Sequence, residues 1–161
     1  MSRGNGDTVT NLVLEIFRLN GALLAAGDAL VADLDLTSAR WQVMGAVALS
    51  PAPLPIAHLA RNMGLTRQSV QRIANELAAS GHLCFAPNPH HERAKLVLLT
   101  DKGRKAYESA TDRWRPRAEA LGKGLGRKPI DAAAELLRTI RQRLENEPVR
   151  QGGRHALEKH A

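Results

Sequence analysis

Two short helical patterns separated by a brief break constrain this chain more than any other feature. Apolar residues recur at helical spacing over residues 55–63 and again over residues 66–80. Gly64 stands where a helix commonly ends in a left-handed residue, and the Thr66 hydroxyl can cap the helix that follows. We therefore predict two short helices that meet at a tight turn, which is typical of a helix-turn-helix.

The polar face of the second predicted helix carries side chains that suit DNA bases. Arg and Gln match the edges of guanine and adenine, and base contacts in this motif come from the start of the second helix. Within this predicted helix no acidic residue precedes Glu76, whereas an ordinary solvated face would mix Glu with Lys. We favour DNA recognition over a plain surface helix. The candidate contacts are Thr66, Arg67, Gln68, Ser69, Gln71 and Arg72.

A polar loop between two predicted strands suggests a wing beside this helix. The strands are Leu83–Ala86 and Lys95–Leu99, and prolines in the loop keep its tip out of a sheet. Arg93 and Lys95 flank the tip, where an arginine can enter the minor groove of narrow A·T tracts. The alternative is that Arg93 only pairs with an acidic neighbour, Glu92 or Asp101.

Helical patterns also lie on both sides of this module. A long helix is predicted over 8–35, with a bend or a close crossing at Gly21 and Gly27. Further helices are predicted over 101–147, with a kink or an end at Pro116. Because a monomer offers these apolar stripes little to pack against, we expect them to form a homodimer.

These patterns divide the chain and set its fold class. No strand pattern is evident outside the wing, so we predict a mainly α fold with a small β wing. Aromatic residues make up only 3% of the chain, so aliphatic side chains must form the core. The predicted division is 1–7 disordered, 8–35 and 101–147 dimerisation helices, 36–100 DNA-binding domain, and 148–161 disordered tail.

The distribution of charge agrees with a nucleic-acid partner. The net charge is +7. Residues 1–65 carry four Lys or Arg against five Asp or Glu, whereas residues 66–105 carry seven against three. The positive charge thus begins at the proposed recognition helix, and a basic face of this kind attracts DNA phosphates independently of base sequence.

Other classes of protein fit less well. Cys84 is the single cysteine, the start of the chain has no apolar signal region, and no apolar run approaches a membrane span, so we expect a soluble cytoplasmic protein. Without a Gly-rich phosphate loop or an activated nucleophile, we expect no enzyme and no cofactor. A sequence-neutral architectural DNA binder would use the same positive charge. A metal sensor is the remaining rival, with candidate ligands His58, His82, His90, His91 and Glu92.

Three blocks of the chain, LTSARWQVM, LARNMGLTRQSVQRIANELAASGHL and NPHHERAKLVLLTDKGR, resemble the MarR family of bacterial transcription regulators. The resemblance spans about 36–104. It implies a winged-helix dimer that usually represses genes by binding a palindrome and is released by a small, often phenolic or aromatic, molecule. It also implies that Arg93 enters the minor groove. The recognition-helix contacts that it implies are Arg67, Gln68, Ser69, Gln71 and Arg72. His91 replaces the family's usual Asp, and a titrating His there would make wing binding depend on pH.

The resemblance further implies an effector pocket between the dimerisation helices and the winged domain. Its lining by position would be Leu19, Leu23, Arg40, Trp41, Met44 and Tyr107. Trp41 and Met44 are interpreted more simply as core residues. Some relatives sense oxidants through a cysteine in the first helix, but this chain has none there. We expect Cys84, in the first wing strand, to be an inert small hydrophobe.

Overall fold

The computed structural model describes residues 4–147, which form six α-helices, a 3₁₀ turn and three short strands. The chain divides into two compact units, the first ending at Ala118 and the second beginning at Glu119. In chain order the elements are α1 (Asn5–Val31), the 3₁₀ turn (Ala32–Leu34), α2 (Ser38–Ala48), β1 (Leu54–Pro55), α3 (Ile56–Met63), α4 (Arg67–Ala79), β2 (Leu83–Ala86), β3 (Leu96–Leu99), α5 (Asp101–Gly122) and α6 (Arg127–Asn146).

The predicted helix-turn-helix is confirmed as α3 and α4. Gly64 ends α3 with φ +65°, a left-handed conformation that costs glycine little because it has no Cβ. Thr66 begins α4, since its Oγ1 accepts a hydrogen bond of 3.1 Å from the backbone N–H of Ser69. The turn between the helices therefore depends on the two residues that the sequence singled out.

The core of the first unit is built from aliphatic side chains, as the low aromatic content predicted. Apolar faces of α2, α3 and α4 meet one face of the wing strands, and this closes the core around the recognition helix. Its side chains are buried and in mutual contact, so the helix that faces outward is held on a rigid base. The fully buried members include Val31, Val43, Met44, Leu59, Val70, Leu77 and Val97.

The three strands form an antiparallel sheet in the order β1-β3-β2. In the wing, Leu83 pairs with Leu99 and Ala86 pairs with Leu96. The expectation of no strand outside the wing is wrong, because β1 pairs with β3 through Leu54 and Val97. A two-residue strand has no periodicity to detect, and it exists only because β3 offers an unpaired edge.

Some boundaries of the predicted helices need correction. The helix α1 begins at Asn5, so residues 5–7 are helical rather than disordered. The helix α5 does not end at Pro116 but continues to Gly122, since one missing N–H at an exposed position leaves the other hydrogen bonds of the helix intact. The predicted disorder of residues 1–3 and 148–161 lies outside the described residues.

A close crossing of α1 and α2 is confirmed at one of the two glycines. A Cβ on Gly27 would lie 2.6 Å from Ser38 Oγ, whereas nothing lies within 4 Å of one on Gly21. At the same crossing the backbone N–H of Ser38 donates to Asp28 Oδ1 at 2.6 Å. The C-terminal half of α1 is therefore fastened to the winged domain.

The first helix, α1, is more apolar than we expected from the sequence. The segment Asn5–Leu34 is long enough and apolar enough to cross a membrane by length and composition, with a mean hydropathy of 1.3 over an 18-residue window. The expectation that no apolar run approaches a membrane span is therefore wrong on those two measures. Two measures alone are weak evidence for a membrane span, because the apolar helix of a soluble protein meets them as well. Large apolar side chains of α1, including Leu14 and Phe17, are exposed.

The second unit consists of the end of α5 and the amphipathic helix α6. Ion pairs such as Arg141–Glu145, at 2.9 Å, run along its polar side. No residue of α6 is buried. Its apolar stripe consists of Ile130, Ala133, Leu136, Leu137, Ile140 and Leu144.

Candidate nucleic-acid interface

The start of α4 presents a polar surface that is fixed from below. The apolar stripe of α4, which includes Val70 and Leu77, is buried in the core, whereas the polar side chains of the helix are not buried. Thr66 and Ser69 are joined by their hydroxyls at 2.9 Å in addition to the cap hydrogen bond, so they hold the helix start. Of the six predicted contacts, all are exposed except Gln71, which is half-buried.

Two of these side chains are oriented along the helix by hydrogen bonds. Arg72 Nη1 donates to Glu76 Oε1 at 2.7 Å, and Gln71 Nε2 donates to Asn75 Oδ1 at 2.9 Å. The other carboxylate oxygen of Glu76 accepts from Arg40 of α2 at 3.3 Å. The hydrogen bond from Arg72 lowers the pKa of the Glu76 carboxyl, burial opposes this shift, and Arg40 adds to it. Glu76 therefore stays charged and links the recognition helix to α2.

The basic residues of the wing remain available to a ligand. Within residues 4–147 Arg93 forms no ion pair, with Glu92 and Asp101 included, and the same holds for Arg67 and Lys95. All three side chains are exposed. Because no carboxylate neutralises them, their charge can act on a phosphate.

A groove of about 930 Å³ runs between the helix-turn-helix and the wing. Four predicted contacts line it, namely Arg67, Gln71, Arg93 and Lys95, whereas Thr66, Gln68, Ser69 and Arg72 do not. No carboxylate is among the described residues that line the groove. The groove is also lined by His91, which the sequence had placed in the wing, and by polar residues that the sequence had not assigned as DNA contacts, namely His58, Asn75, Asn88 and His90.

The wing tip is shaped by Asn88, which the sequence analysis did not single out. Its Nδ2 donates to the carbonyl of Ala94 at 2.9 Å, and its Oδ1 accepts from the backbone N–H of His90 at 3.0 Å. Asparagine often closes turns in this way, and the Asn-Pro pair in the loop is the signal that would have found it. The two histidines and Arg93 are thereby held around one folded tip.

The base of the wing is joined closely to the start of α5. Thr100 Oγ1 accepts from the N–H of Gly103 at 3.0 Å and donates to the Gly81 carbonyl at 2.6 Å. A Cβ on Gly103 would lie 1.9 Å from the His82 carbonyl oxygen, so only glycine fits there. Burial lowers the pKa of His82, and the charge of Lys102 adds to the shift. Its ring Nδ1 lies 2.8 Å from Ser80 Oγ.

The metal-sensor alternative has no site among the residues described. No three His, Cys, Asp or Glu side chains within 4–147 converge to hold a metal ion. His82 is buried under the wing base, whereas the other three candidate histidines line the groove.

The residues that resemblance assigned to an effector pocket lie in different environments. Met44 is fully buried in the core, while Leu19 and Leu23 are exposed. Trp41 packs edge-on against Trp114, with ring centroids 6.2 Å apart. Of the other two, Arg40 bonds Glu76, and Tyr107 packs beside Gly45. Met44 is thus a core residue, as its apolar pattern suggested.

Cys84 lies in β2, as predicted, but it is exposed on the sheet surface. Its expected inertness stays a prediction. Alternation along the strand buries Leu83 and turns its neighbour outward.

Comparison with known proteins decides the family. The MarR family model matches residues 34–94, which hold α2, α3, α4 and most of the wing. An uncharacterized protein of Mycobacterium tuberculosis is 37% identical over 107 residues, 66% of this chain and 73% of that protein. The chain belongs to the MarR family. Members of the MarR family are transcription regulators rather than enzymes, so this protein is a MarR-family transcription regulator.

A further relative and three solved structures are similar to this MarR-family chain. The transcriptional activatory protein BadR of Rhodopseudomonas palustris is 24% identical over 87% of this chain and 80% of its own. The regulator BldR of Sulfolobus solfataricus superposes with a TM-score of 0.77, at 18% identity, over 88% of this chain and 99% of its own. A MarR mutant of E. coli in complex with operator DNA gives 0.73, at 20% identity, over 86% and 99%. CouR of Rhodococcus jostii with p-coumaroyl-CoA gives 0.70, at 19% identity, over 80% and 90%. These likenesses establish the winged-helix fold.

Proposed function

We propose that this MarR-family regulator binds a palindromic operator as a homodimer in the cytoplasm, represses transcription there, and is released by a small aromatic effector. The observation that carries the proposal is the groove between α4 and the wing, which is lined by Arg67, Arg93 and Lys95 and by no carboxylate among the described residues. A surface with cations on both walls fits a polyanion that lies between them.

The proposed docking follows from the shape of the two parts. With the start of α4 in the major groove, Arg67, Gln68 and Arg72 reach base edges. The wing then meets the adjacent minor groove with Arg93. The strand that separates a major from a minor groove is the sugar–phosphate backbone, so the protein groove lies over phosphates. Thr66 and Ser69 hold the helix start, and Lys95 adds a phosphate contact.

A second copy of the chain is the proposed partner of the outer helices. The exposed apolar side chains of α1 include Leu14, Phe17, Leu19 and Leu23. The second unit exposes a comparable set, with Leu125, Ile130, Leu136, Leu137 and Leu144 among them. Exposed apolar surface on this scale marks an interaction site. A two-fold dimer presents two recognition helices about 34 Å apart, which suits a palindrome with half-sites one turn apart.

The proposed effector site lies at the aromatic cluster beside α2. Trp41 on this helix packs against Trp114, and Tyr107 packs beside Gly45 of the same helix. Arg40 on α2 offers a cation to an acidic ligand. The structure of CouR holds p-coumaroyl-CoA, an aromatic thioester with acidic phosphates. In this chain an acidic effector would compete with Glu76 for Arg40 and so disturb the link to α4. Leu19 and Leu23 would contribute from α1.

The DNA part of the proposal is tested by mobility shift on the protein's own upstream promoter DNA at physiological salt with excess competitor. A discrete band that survives competitor is expected. Changing Gln68→Ala should alter preference at one base pair by about 1–3 kcal/mol. Changing Arg93→Ala should weaken binding to all sequences. Lys105→Ala removes an exposed cation outside the groove and is the matched control. A smear that competitor abolishes would leave a sequence-neutral binder instead.

The effector part is tested by fluorescence, because the chain has two tryptophans and both lie in the cluster. Titration with p-coumarate or its CoA thioester should change the emission and release the DNA at the same concentrations. Arg40→Gln should weaken both effects for the acidic ligands. An emission change without DNA release would count against a regulatory role of the site.

A further inference from the structure

Three histidines share the groove with the unpaired cations of the DNA-binding surface. His58 comes from α3, and His90 and His91 come from the wing tip, so histidines stand on both walls. All three side chains are exposed. Sequence spacing gave no reason to group them, because 32 positions separate His58 from His90; the fold brings them to one surface.

The charged residues that line the groove beside these histidines all have the same sign. On α4 the groove is lined by Arg67 with the neutral Gln71 and Asn75, and on the wing by Arg93 and Lys95. On α3 the only titratable lining residue is His58. Glu92, next to His91 in sequence, does not line the groove. A phosphate strand in the groove would attract positive charge on either wall.

We propose that His58, His90 and His91 are further phosphate-contacting residues that bind the DNA backbone as cations, so that DNA binding takes up protons. The inference rests on the proposed DNA-binding function and deepens it. Histidine changes its charge between pH 5 and 8, and its protonated ring offers two N–H donors to phosphate oxygens. By linkage, a complex that holds more protons than the free protein becomes more stable as the pH falls.

Protonated histidines in the groove would change the salt dependence of DNA binding as well as its affinity. Each phosphate neutralised by a protein cation releases counterions and adds about 0.9 to the slope of log K against log salt. Recruitment of one to three histidines should therefore steepen that slope by about 0.9 to 2.7 between pH 8.0 and pH 6.0. Affinity at low salt should rise over the same interval by at least about tenfold.

The test is fluorescence anisotropy with the full chain and a labelled duplex of its upstream promoter, in EDTA, at pH 8.0 and pH 6.0 and several salt concentrations. The decisive variant is H58Q/H90Q/H91Q, which keeps His82 and the histidines beyond residue 147. It should lose the pH dependence and the change of salt slope. A second variant, H58K/H90K/H91K, has cations at both pH values and should bind tightly at both. Circular dichroism at each pH verifies that every variant is folded.

The outcomes separate this inference from the function beneath it. Equal affinity of the wild type at both pH values would overturn the inference and leave the DNA-binding proposal standing. The same pH dependence in the glutamine variant would assign the protons to other groups and overturn it too. A wild type that binds DNA at neither pH would overturn the proposed function. Loss of the pH effect in the glutamine variant, together with tight binding at both pH values in the lysine variant, would support the inference and the proposed function.

Discussion

The winged domain and α6 show the same hydrophobic periodicity, but the apolar face is buried in the first and exposed in the second. In α4 the apolar stripe of Val70, Ile73, Ala74 and Leu77 is buried within its own chain. In α6 the stripe is as regular, yet no residue of the helix is buried. Periodicity thus tells which face of a helix is apolar, and the surroundings decide whether the chain or another molecule covers that face.

The largest effect is expected from breaking the stripe of α6. Leu137→Asp places a charge in the proposed dimer interface twice, once per subunit. The loss of two buried leucines alone is worth about 3–6 kcal/mol, so the dissociation constant of the dimer should rise by at least about a hundredfold. Analytical ultracentrifugation measures it. Gln142→Asp, which adds the same charge off the stripe, should leave the dimer unchanged. A monomer in the wild type would contradict the proposal.

The next effect concerns the closed core of the winged domain. Leu77 is fully buried, so Leu77→Ala should lower the free energy of unfolding by about 2–5 kcal/mol. Urea denaturation should show this loss at every protein concentration. The matched change Leu136→Ala in α6 should lower the free energy of unfolding only where the dimer forms, so its loss should shrink as the protein is diluted. If both losses depended on concentration in the same way, the contrast between the two regions would be wrong.

A smaller effect tests the joint between the wing and α5. Gly103→Ala puts a methyl group against the His82 carbonyl and forces the helix away from the wing. Such overpacking costs about 1–3 kcal/mol. Gly122→Ala is the control in the same helix, because nothing lies within 4 Å of its added Cβ. Thermal unfolding should show a lower midpoint for Gly103→Ala than for the wild type. The midpoint of Gly122→Ala should not be lower than that of the wild type. A Gly103→Ala protein as stable as the wild type would mean that this contact can relax freely.

The smallest effect is a pH dependence of stability from His82. Burial lowers the pKa of His82 in the folded state below its usual value of 6.5. The unfolded chain therefore binds a proton first as the pH falls, and the folded state loses stability from about pH 6.5 downward. Above this pH the contribution is fully present. The urea midpoint should fall between pH 7.5 and pH 5.5 more in the wild type than in His82→Gln. An equal fall in both would assign the titration to other groups.

Local signals in the sequence were sufficient for the helix-turn-helix. Gly64 and Thr66 act within one turn of their own positions, so their roles could be read without the fold. The strand β1 could not be predicted, because Leu54 and Pro55 become a strand only by pairing with β3. The predicted helix end or kink at Pro116 was not a helix end, because a proline that removes one exposed hydrogen bond does not have to end a long helix.

In the candidate interface, too, some residues could be predicted from the sequence and others could not. Arg67, Gln71, Arg93 and Lys95 were chosen by side-chain chemistry, and the structure places all four on one groove. His58 and Asn88 were not assigned to it, since a surface shared by residues 30 positions apart carries no signal in spacing. Among the effector residues transferred by resemblance, Met44 is fully buried, and its burial depends on how tightly α2 packs.

The sequence by itself determined the family, the order of the helices and the cationic character of the recognition helix and wing, because capping, periodicity and charge act over a few residues. Only the tertiary structure decided which polar side chains stand together. It joined Arg40 to Glu76 across two helices, buried His82 under the wing base, and brought His58 to the histidines of the wing tip. These contacts join residues distant in the chain, and packing of the core rather than any local preference fixes their distances.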